Sequence, residues 1–406
     1  MKEQILYRTS SYEPALVNPY KCERCQATQE WIVQEVRGVW RCRRCSSDSL
    51  HTQNLTHRSL TIRHHKLDLR YPLTNEQARA ASEIKDSLSR GRHVFLHAVT
   101  GAGKTEMVFE AILDALNRNE RIAFAIPRIE IVLQLYRRLT AAFPYTVIKA
   151  IYGQCHDDED ASIVVTTIQQ LAHYVAEFDF ILIDETDAFP LTIDELLWIW
   201  AIRSLTKKGK IVFMSATTHP SLMPRMMSLQ MTKISVTRRF HDHNLDLPAL
   251  VHVVNLEKAI AQRVLPKKVI RCLRKWVDDS HRVFVFVPTK TILPLVLHSI
   301  QKEFPNAEGI HASSNDRQSV LKRFDRGDFS VLVTTTLLER GVTFPRLDCL
   351  VLFADHPVFS KETLIQISGR VGRSLDTPHG DIVFVASSKT RAMVESIHEI
   401  EKWNRP

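Results

Sequence analysis

Short apolar runs recur along most of the 406-residue chain and alternate with segments of helical periodicity. The first set of runs is VFLHA, RIAFAIP, SIVVTT, FDFILID and KIVFMSAT, and the second is ALVHVV, RVFVFVP, SVLVTT, CLVLFA and DIVFVAS. Strands that are apolar on both faces are typical of parallel sheets covered by helices on each side. Two such sets predict an α/β protein with two doubly wound parallel-sheet domains.

A polar stretch, TRRFHDHNLDLP, separates the two sets and contains no apolar run. The chain is also too long to fold around one hydrophobic core. We therefore expect a first domain over 71–236, a linker over 237–248 and a second domain over 249–406. A small module over 1–70 precedes them, and Thr74 is the expected N-cap of the first helix.

The charge balance constrains the partners. The chain holds 54 Lys and Arg against 45 Asp and Glu, which gives a net charge of +9. This excess permits a polyanionic partner such as nucleic acid without proving one. The sequence shows neither a signal-peptide pattern nor an apolar stretch of about 18 residues, so a cytoplasmic protein is expected.

A glycine-rich segment, AVTGAGKT (98–105), follows the first apolar run and precedes a helical pattern. This is the context of a phosphate-binding loop, in which backbone N–H groups surround the phosphates of a nucleotide. Lys104 would place its charge on the β- and γ-phosphates, and the Thr105 hydroxyl would bind Mg²⁺. The sequence thus predicts an ATP and Mg²⁺ site, whose loop residues are Thr100, Gly101, Ala102, Gly103, Lys104 and Thr105.

Two further segments carry charges suited to ATP hydrolysis. Asp184 and Glu185 end an apolar run, where Asp184 would hold the metal and Glu185 would orient and deprotonate a water. A solvated acidic turn is the alternative. Arg370 and Arg373 are expected on one side of a helical turn, from which they would stabilise the charge that develops on the transferred phosphate, with ATP between the two domains. A surface basic patch or an RNA contact is the alternative for these arginines.

Six ordered motifs resemble those of superfamily 2 DNA and RNA helicases and translocases, the DEAD-box-like proteins. They are Gln77, AVTGAGKT, Asp184-Glu185-Thr186-Asp187, Ser215-Ala216-Thr217, TTTLLERG (334–341) and QISGRVGR (366–373). The resemblance implies two RecA-like domains. It further implies the following roles: adenine recognition by Gln77, nucleotide contacts by Glu339 and Gly341, and coupling of hydrolysis to nucleic acid by Asp187, Ser215, Thr217 and Gln366. Ala98 departs from the motif, which usually begins with glycine, and Thr186 replaces a smaller residue.

The N-terminal segment contains four clustered cysteines. Cys22 and Cys25 form one C-x-x-C pair, and Cys42 and Cys45 form a second pair sixteen residues later. This spacing predicts a zinc ribbon in which four thiolates hold a structural Zn²⁺. Spacing alone leaves iron as an alternative.

The tetracysteine module, the compact two-lobed core and the segment ILIDETDAFP together resemble the ComFA family of late-competence ATPases. The resemblance implies a DNA-dependent ATPase that drives transforming single-stranded DNA through a membrane channel during natural competence. It also implies a position at the inner face of the cell membrane, with a ComFC-like protein and the ComEC channel as partners, and a homo-oligomer is possible. The alternatives are a PriA-like replication-restart or repair helicase and an ATP-switched zinc-ribbon scaffold.

Candidate DNA contacts follow strand-like runs in both domains. Hydroxyl and basic side chains at such positions suit sequence-independent binding of phosphates. The candidates are Arg128, Thr166, Thr167, Thr289, Lys290, Thr334 and Thr335. For each residue alone, a capping or structural role is an equal alternative. Arg238 and Arg239 in the linker could also contact ATP or DNA, but we interpret them as a solvated hinge. No strand-separating insertion is evident, which favours translocation over unwinding.

Overall fold

The computed structural model describes residues 33–36, 39–42, 64–153, 160–218, 222–311, 314, 316–336 and 344–405. These residues fall into two units, and each unit has its own parallel sheet. The first unit comprises the described parts of Met1–His97 and Lys104–Val236, and the second comprises Ala98–Gly103 and Thr237–Pro406. The six-residue segment Ala98–Gly103 therefore packs with the second unit, although the residues on either side of it belong to the first.

The first unit contains nine strands and six α-helices among its described residues. The strands are β1 (Val33–Val36), β2 (Val39–Cys42), β3 (Val94–Ala98), β4 (Ile122–Ile126), β5 (Ile148–Ile151), β6 (Ile163–Thr167), β7 (Phe178–Ile183), β8 (Leu205–Ser215) and β9 (Thr232–Val236). The helices are α1 (Asn75–Ser89), α2 (Lys104–Met107), α3 (Phe109–Asn117), α4 (Ile129–Ala142), α5 (Glu195–Arg203) and α6 (Met223–Ser228), and a 3₁₀ helix covers Ile168–His173. β1 and β2 form an antiparallel hairpin in which Val33 pairs with Cys42.

The main sheet of the first unit has the strand order β5-β6-β4-β7-β8-β3-β9. The pairings from β5 through β3 are all parallel. Every residue of β3, β4 and β6 is buried, as expected where helices cover both faces of a parallel sheet. Because the strands are parallel, the carboxyl ends of β7, β8 and β3 meet at one edge of the sheet.

The second unit contains six strands and six helices among its described residues. The strands are β10 (Ala249–His252), β11 (Arg282–Phe286), β12 (Glu308–Ile310), β13 (Val331–Thr334), β14 (Leu347–Leu352) and β15 (Ile382–Ala386). The helices are α7 (Leu256–Ala261), α8 (Lys267–Asp278), α9 (Leu293–Gln301), α10 (Arg317–Arg326), α11 (Lys361–Ser368) and α12 (Arg391–Asn404).

The sheet of the second unit has the order β10-β15-β14-β11-β13-β12, and all of its pairings are parallel. Its two faces bury separate apolar clusters. Phe284 and Phe324 stack in one cluster with their ring centroids 5.3 Å apart, and Leu273 and Trp276 lie in the other. The prediction of two parallel-sheet α/β domains is confirmed. The predicted limits of the domains stay predictions.

The linker segment packs against the second unit. Leu245 is buried, and its backbone N–H and carbonyl both bond to the side-chain amide of Asn404, at 2.9 and 2.8 Å. Arg239 is only 2% exposed. The interpretation of Arg239 as part of a solvated hinge is therefore wrong, whereas Arg238 is 41% exposed and pairs with Asp242.

Among the described residues, no helix combines the length and apolar character that a membrane span requires.

Candidate functional site

The glycine-rich loop connects β3 to α2. Gly101 and Gly103 have φ values of +81° and +76°, a backbone region that side-chain-bearing residues rarely adopt. The Ala102 N–H donates to the Val99 carbonyl at 3.1 Å and closes a tight turn. Both glycines are thus needed for the conformation of this loop, and its role as a phosphate cradle stays a prediction.

Lys104 and Thr105 open α2 in the first unit, and Asp184 follows β7 in the same unit. Burial raises the pKa of the Asp184 carboxyl, and the nearby Lys104 ammonium partly offsets this effect. Because β3, β8 and β7 are parallel, the lysine that follows β3 and the carboxylate that follows β7 lie at the same end of the sheet. The Asp184 backbone N–H donates to Ala125 at the end of β4, which fixes the residue beside its neighbouring strand.

Glu185 has a backbone conformation that is unusual for its residue type. Its φ is +55°, in the left-handed region, where a non-glycine residue is strained. The Glu185 N–H donates to Asp184 Oδ1 at 2.8 Å, and the Glu185 carbonyl accepts from the Ala188 N–H at 2.9 Å. These bonds hold the strained turn. Such strain is often found at functional sites.

A hydrogen-bonded chain joins the ends of β7 and β8. The Thr217 hydroxyl donates to Asp187 Oδ2, and the Ser215 hydroxyl donates to the Thr217 carbonyl at 2.6 Å. All three side chains are buried. The structure therefore brings together Asp187, Ser215 and Thr217, the three first-unit residues to which the resemblance assigns coupling.

Gln77 belongs to the N-terminal capping box of α1. Its Oε1 accepts from the Thr74 N–H at 2.9 Å, and its own N–H donates to the Thr74 hydroxyl at 3.3 Å. Thr74 is the N-cap that the sequence predicts. The bond from Thr74 fixes the orientation of the Gln77 amide.

The residues of the first unit fit Mg²⁺ and a nucleotide. Lys104 and Thr105 follow directly after the glycine loop, and one carboxylate, Asp184, lies near the lysine. No cluster of three or more His, Cys, Asp or Glu residues suited to a metal occurs among the described residues. Mg²⁺ in a nucleotide site needs no such cluster, because phosphate oxygens and water supply most of its ligands.

The arginines of QISGRVGR lie beyond the end of α11, in a turn. Gln366 and Arg370 are buried, at 4% and 2% exposure. The Arg373 Nε donates to the Gly369 carbonyl at 2.7 Å, and Gly372 has a φ of +66°. The expectation that both arginines lie on one side of a helical turn is therefore corrected, since Gly369 caps the helix before either of them.

Several predicted site residues lie outside the part of the chain that the structure describes. They are Glu339, Gly341, Cys22, Cys25 and Cys45. Cys42 ends β2, and the structure does not describe its side chain.

The candidate DNA contacts of the first unit differ in exposure. Thr166 is fully buried and its hydroxyl donates to the Ile151 carbonyl at 2.9 Å, so its structural role explains its position. Thr167 is also buried, at 6% exposure, and precedes the 3₁₀ helix. Arg128 is half-buried at the N-terminus of α4.

The candidate DNA contacts of the second unit also include both buried and more exposed side chains. Thr334 is fully buried, and its hydroxyl donates to the Thr335 carbonyl at 3.2 Å. Thr289 accepts from the Ile292 N–H at 3.2 Å, beside the start of α9. Lys290 is exposed and Thr335 is half-buried. The buried Thr166 and Thr334 hydroxyls are not carried into the proposed interface.

The position of Arg239 could not be predicted from the sequence. This residue lies against Gly101 within the second unit, where a Cβ on Gly101 would be 3.6 Å from Arg239 Cγ. The sequence offers no sign of this contact, because a polar, basic stretch between two domains is ordinarily solvated.

Two family profiles match the chain. Residues 70–218 match the family described as "Type III restriction enzyme, res subunit", and residues 265–374 match the "Helicase conserved C-terminal domain". The first match contains the glycine loop and the acidic segment, and the second contains QISGRVGR.

The fold is similar to that of a solved helicase. The structure of the Mycobacterium smegmatis helicase Lhr bound to ssDNA and AMP-PNP matches with a TM-score of 0.58 and 17% identity, over 82% of this chain and 50% of that one. At this identity the likeness concerns the fold alone.

Two curated relatives share most of the chain. The competence protein ComFA of Bacillus subtilis is 33% identical over 333 residues, which are 82% of this chain and 72% of the relative. The competence protein ComFA of Streptococcus pneumoniae is 30% identical over 394 residues, which are 95% of this chain and 90% of the relative. Together with the two helicase-type domains, this identity shows that the chain belongs to the ComFA family of helicase-like competence proteins.

Proposed function

We propose that the chain is an ATP-driven motor that moves along single-stranded DNA and drives the uptake of transforming DNA. The observation that carries the proposal is the hydrogen-bonded chain Asp187–Thr217–Ser215, next in sequence to the acidic pair Asp184–Glu185. It connects the acidic segment of one strand with the end of the neighbouring strand. A rearrangement at the acidic segment would therefore move Thr217 and the end of β8 through the bond to Asp187.

Three charged groups of the first unit have roles in this proposal. Lys104 neutralises the charge of the bound phosphates, and Asp184 holds Mg²⁺ together with the Thr105 hydroxyl. Bound Mg²⁺ supplies charge neutralisation at the phosphates. Glu185 accepts the proton of the attacking water, and its hydrogen-bonded turn holds the carboxylate in place.

The second unit contributes its arginines and part of the DNA-binding surface. The proposal retains Arg370 and Arg373 as the groups that stabilise the charge developing on the transferred phosphate. Five residues remain as candidate contacts to DNA phosphates: Arg128, Thr167, Thr289, Lys290 and Thr335. The Lhr structure, which has a similar fold and contains both ssDNA and AMP-PNP, supports the proposal that this chain binds single-stranded DNA and a nucleotide together.

The cellular setting also belongs to the proposal. The ComFA relatives support a role in competence. We place the protein at the inner face of the cell membrane, with a ComFC-like protein and the uptake channel as partners. Co-purification with the channel from competent cells would test this placement.

The test of the function measures ATP hydrolysis with single-stranded DNA, duplex DNA and RNA. We expect the greatest stimulation with single-stranded DNA. Thr217→Val removes the bond to Asp187, and we expect it to abolish the stimulation while AMP-PNP affinity changes less than about threefold, since Thr217 is not a phosphate ligand in the proposal.

Thr206→Val is a matched control, because Thr206 donates to Asp179 at 3.0 Å within the same unit but outside the acidic segment. It should retain full stimulation. Equal rates with and without every nucleic acid would refute the motor. A motor of this kind moves by binding DNA more tightly in one nucleotide state than in the other, so an affinity for single-stranded DNA that is the same with AMP-PNP and with ADP would refute it.

A zinc ribbon remains part of the proposal for residues 1–70. It is supported by the spacing of Cys22, Cys25, Cys42 and Cys45 and by the β1–β2 hairpin that ends at Cys42. We expect Cys22→Ser to lose most of the bound zinc in elemental analysis of the purified full chain. Cys272→Ser, at a free cysteine of the second unit, should keep it. Full zinc content in Cys22→Ser would contradict the four-thiolate site.

A further inference from the structure

A buried guanidinium lies against the glycine loop. Arg239 is 2% exposed, and its side chain runs along Gly101, with Cγ, Cδ and Nε within 3.6 to 3.7 Å of the position a Cβ would take there. The next residue, Phe240, donates its backbone N–H to the Gly101 carbonyl at 3.2 Å. Two consecutive residues of the linker segment thus hold one glycine of the loop.

One nitrogen of this guanidinium has a protein partner. Nη1 donates to the Gly372 carbonyl at 2.6 Å. Nε and Nη2 are buried and have no hydrogen-bond acceptor among the described residues. A buried donor without an acceptor is costly, and the cost is larger for a charged group. The arrangement therefore lacks an acceptor beside Gly101.

The hydroxyl of Thr100, the residue before Gly101, is likewise buried without a hydrogen-bond partner among the described residues. Thr100 is 2% exposed. Gly369 covers it so closely that a Cβ at Gly369 would lie 1.7 Å from Thr100 Oγ1. Three buried polar atoms without hydrogen-bond partners among the described residues therefore lie at the loop Ala98–Gly103: Thr100 Oγ1 within it, and Arg239 Nε and Nη2 beside it.

The charge at this place also favours an anion. Burial lowers the pKa of Arg239 to about 10, an effect that Asp246 partly offsets, so the side chain is still a cation at neutral pH. Asp246 does not satisfy the guanidinium, because its buried Oδ2 has no hydrogen-bond partner among the described residues and its Oδ1 bonds to His379. A phosphate group offers several oxygen acceptors and negative charge, and a guanidinium binds it with paired hydrogen bonds.

From this geometry we infer that Arg239 is a phosphate-binding residue of the nucleotide site, contributed by the segment between the two sheets. The inference rests on the proposed function, since it requires that the loop bind a nucleotide. It adds a ligand that none of the helicase motifs contains. Because Arg239 also bonds to Gly372, the same residue ties phosphate binding to the turn that carries Arg370 and Arg373.

The test is nucleotide binding to the folded full chain, measured by calorimetry with Mg²⁺ and AMP-PNP. Arg239→Met keeps most of the length of the side chain and removes the charge, and we expect it to weaken AMP-PNP binding by about 10- to 100-fold. Arg239→Lys keeps the charge but not the paired N–H donors of the guanidinium, and we expect it to weaken AMP-PNP binding by about 3- to 30-fold. Arg238→Met is the matched control, because the exposed Arg238 pairs only with Asp242 in the described structure. It should bind within about twofold of the wild type.

A melting curve with and without AMP-PNP supplies a second measurement. We expect the nucleotide to raise the melting temperature of the wild type and of Arg238→Met, and to raise that of the Arg239 variants much less. If Arg239→Met binds AMP-PNP as the wild type does, Arg239 is not a phosphate ligand and the inference fails. If Arg239→Met does not fold and Arg239→Lys binds as the wild type does, paired hydrogen bonds from the guanidinium are not needed and the inference fails as well. If the wild type binds no AMP-PNP, the proposed function fails and the inference fails with it.

Discussion

Replacing Lys104 with alanine is expected to lower the rate of ATP hydrolysis by about 10²-fold or more, and to weaken AMP-PNP binding. The ammonium group follows the glycine loop and interacts with the half-buried Asp184 carboxyl. Its removal takes away a positive charge from the bound phosphates. It also leaves Asp184 without the charge that offsets its burial. Steady-state hydrolysis assays and calorimetry on the purified full chain measure both effects.

Lys207→Ala is the control for this variant. Lys207 lies in β8 of the same unit and is exposed, so the substitution removes a lysine charge far from any predicted motif residue in the sequence. Hydrolysis in this control should stay within about twofold of the wild type. Near-normal turnover in Lys104→Ala would remove the lysine from the mechanism and leave the glycine loop as a structural turn.

Glu185→Gln is expected to lower ATP turnover by about 10²-fold or more while leaving AMP-PNP affinity within about threefold of the wild type. The amide has the size of the carboxylate but cannot accept the proton of the attacking water. The substitution does not alter the Cβ, so it preserves the left-handed backbone at this residue. Loss of turnover without loss of affinity would separate this role from that of Lys104.

Glu257→Gln makes the same chemical change at an exposed position of α7 and should have normal activity. If Glu185→Gln hydrolyses ATP at the wild-type rate, Glu185 does not activate the water, and the strained turn must be explained by packing alone. If the variant loses affinity as strongly as turnover, the carboxylate acts in binding rather than in proton transfer.

Much of the fold could be predicted because its strands are local patterns. The runs VFLHA, FDFILID and KIVFMSAT become β3, β7 and β8, with all residues of β3 buried. A strand buried on both faces must be apolar at every position, and this requirement is visible in a few consecutive residues. Thr74 was equally predictable, since a capping box is contained within four residues.

The candidate site was predictable to the extent that its groups are neighbours in sequence. The glycines of the loop precede Lys104 and Thr105, and Asp184 and Glu185 are adjacent. The bond between Thr217 and Asp187 is different. It depends on the pairing of β7 with β8, in which Ile183 lies opposite Phe213. Asp187 and Thr217 each follow four residues after this pair, so the pairing brings them side by side. The resemblance associated these residues, but only the sheet order explains their contact.

The two parallel-sheet domains, the phosphate-loop motif and the acidic pair could be read from the chain alone, because each depends on short-range pattern and spacing. Three features came from the folded molecule: the Thr166 hydroxyl is used inside the fold, the arginines follow the end of α11, and Arg239 is buried against Gly101. The physical reason is that burial and hydrogen bonding depend on residues distant in sequence. A basic residue in a polar stretch is solvated unless the fold brings other segments over it, and here it does so beside the glycine loop.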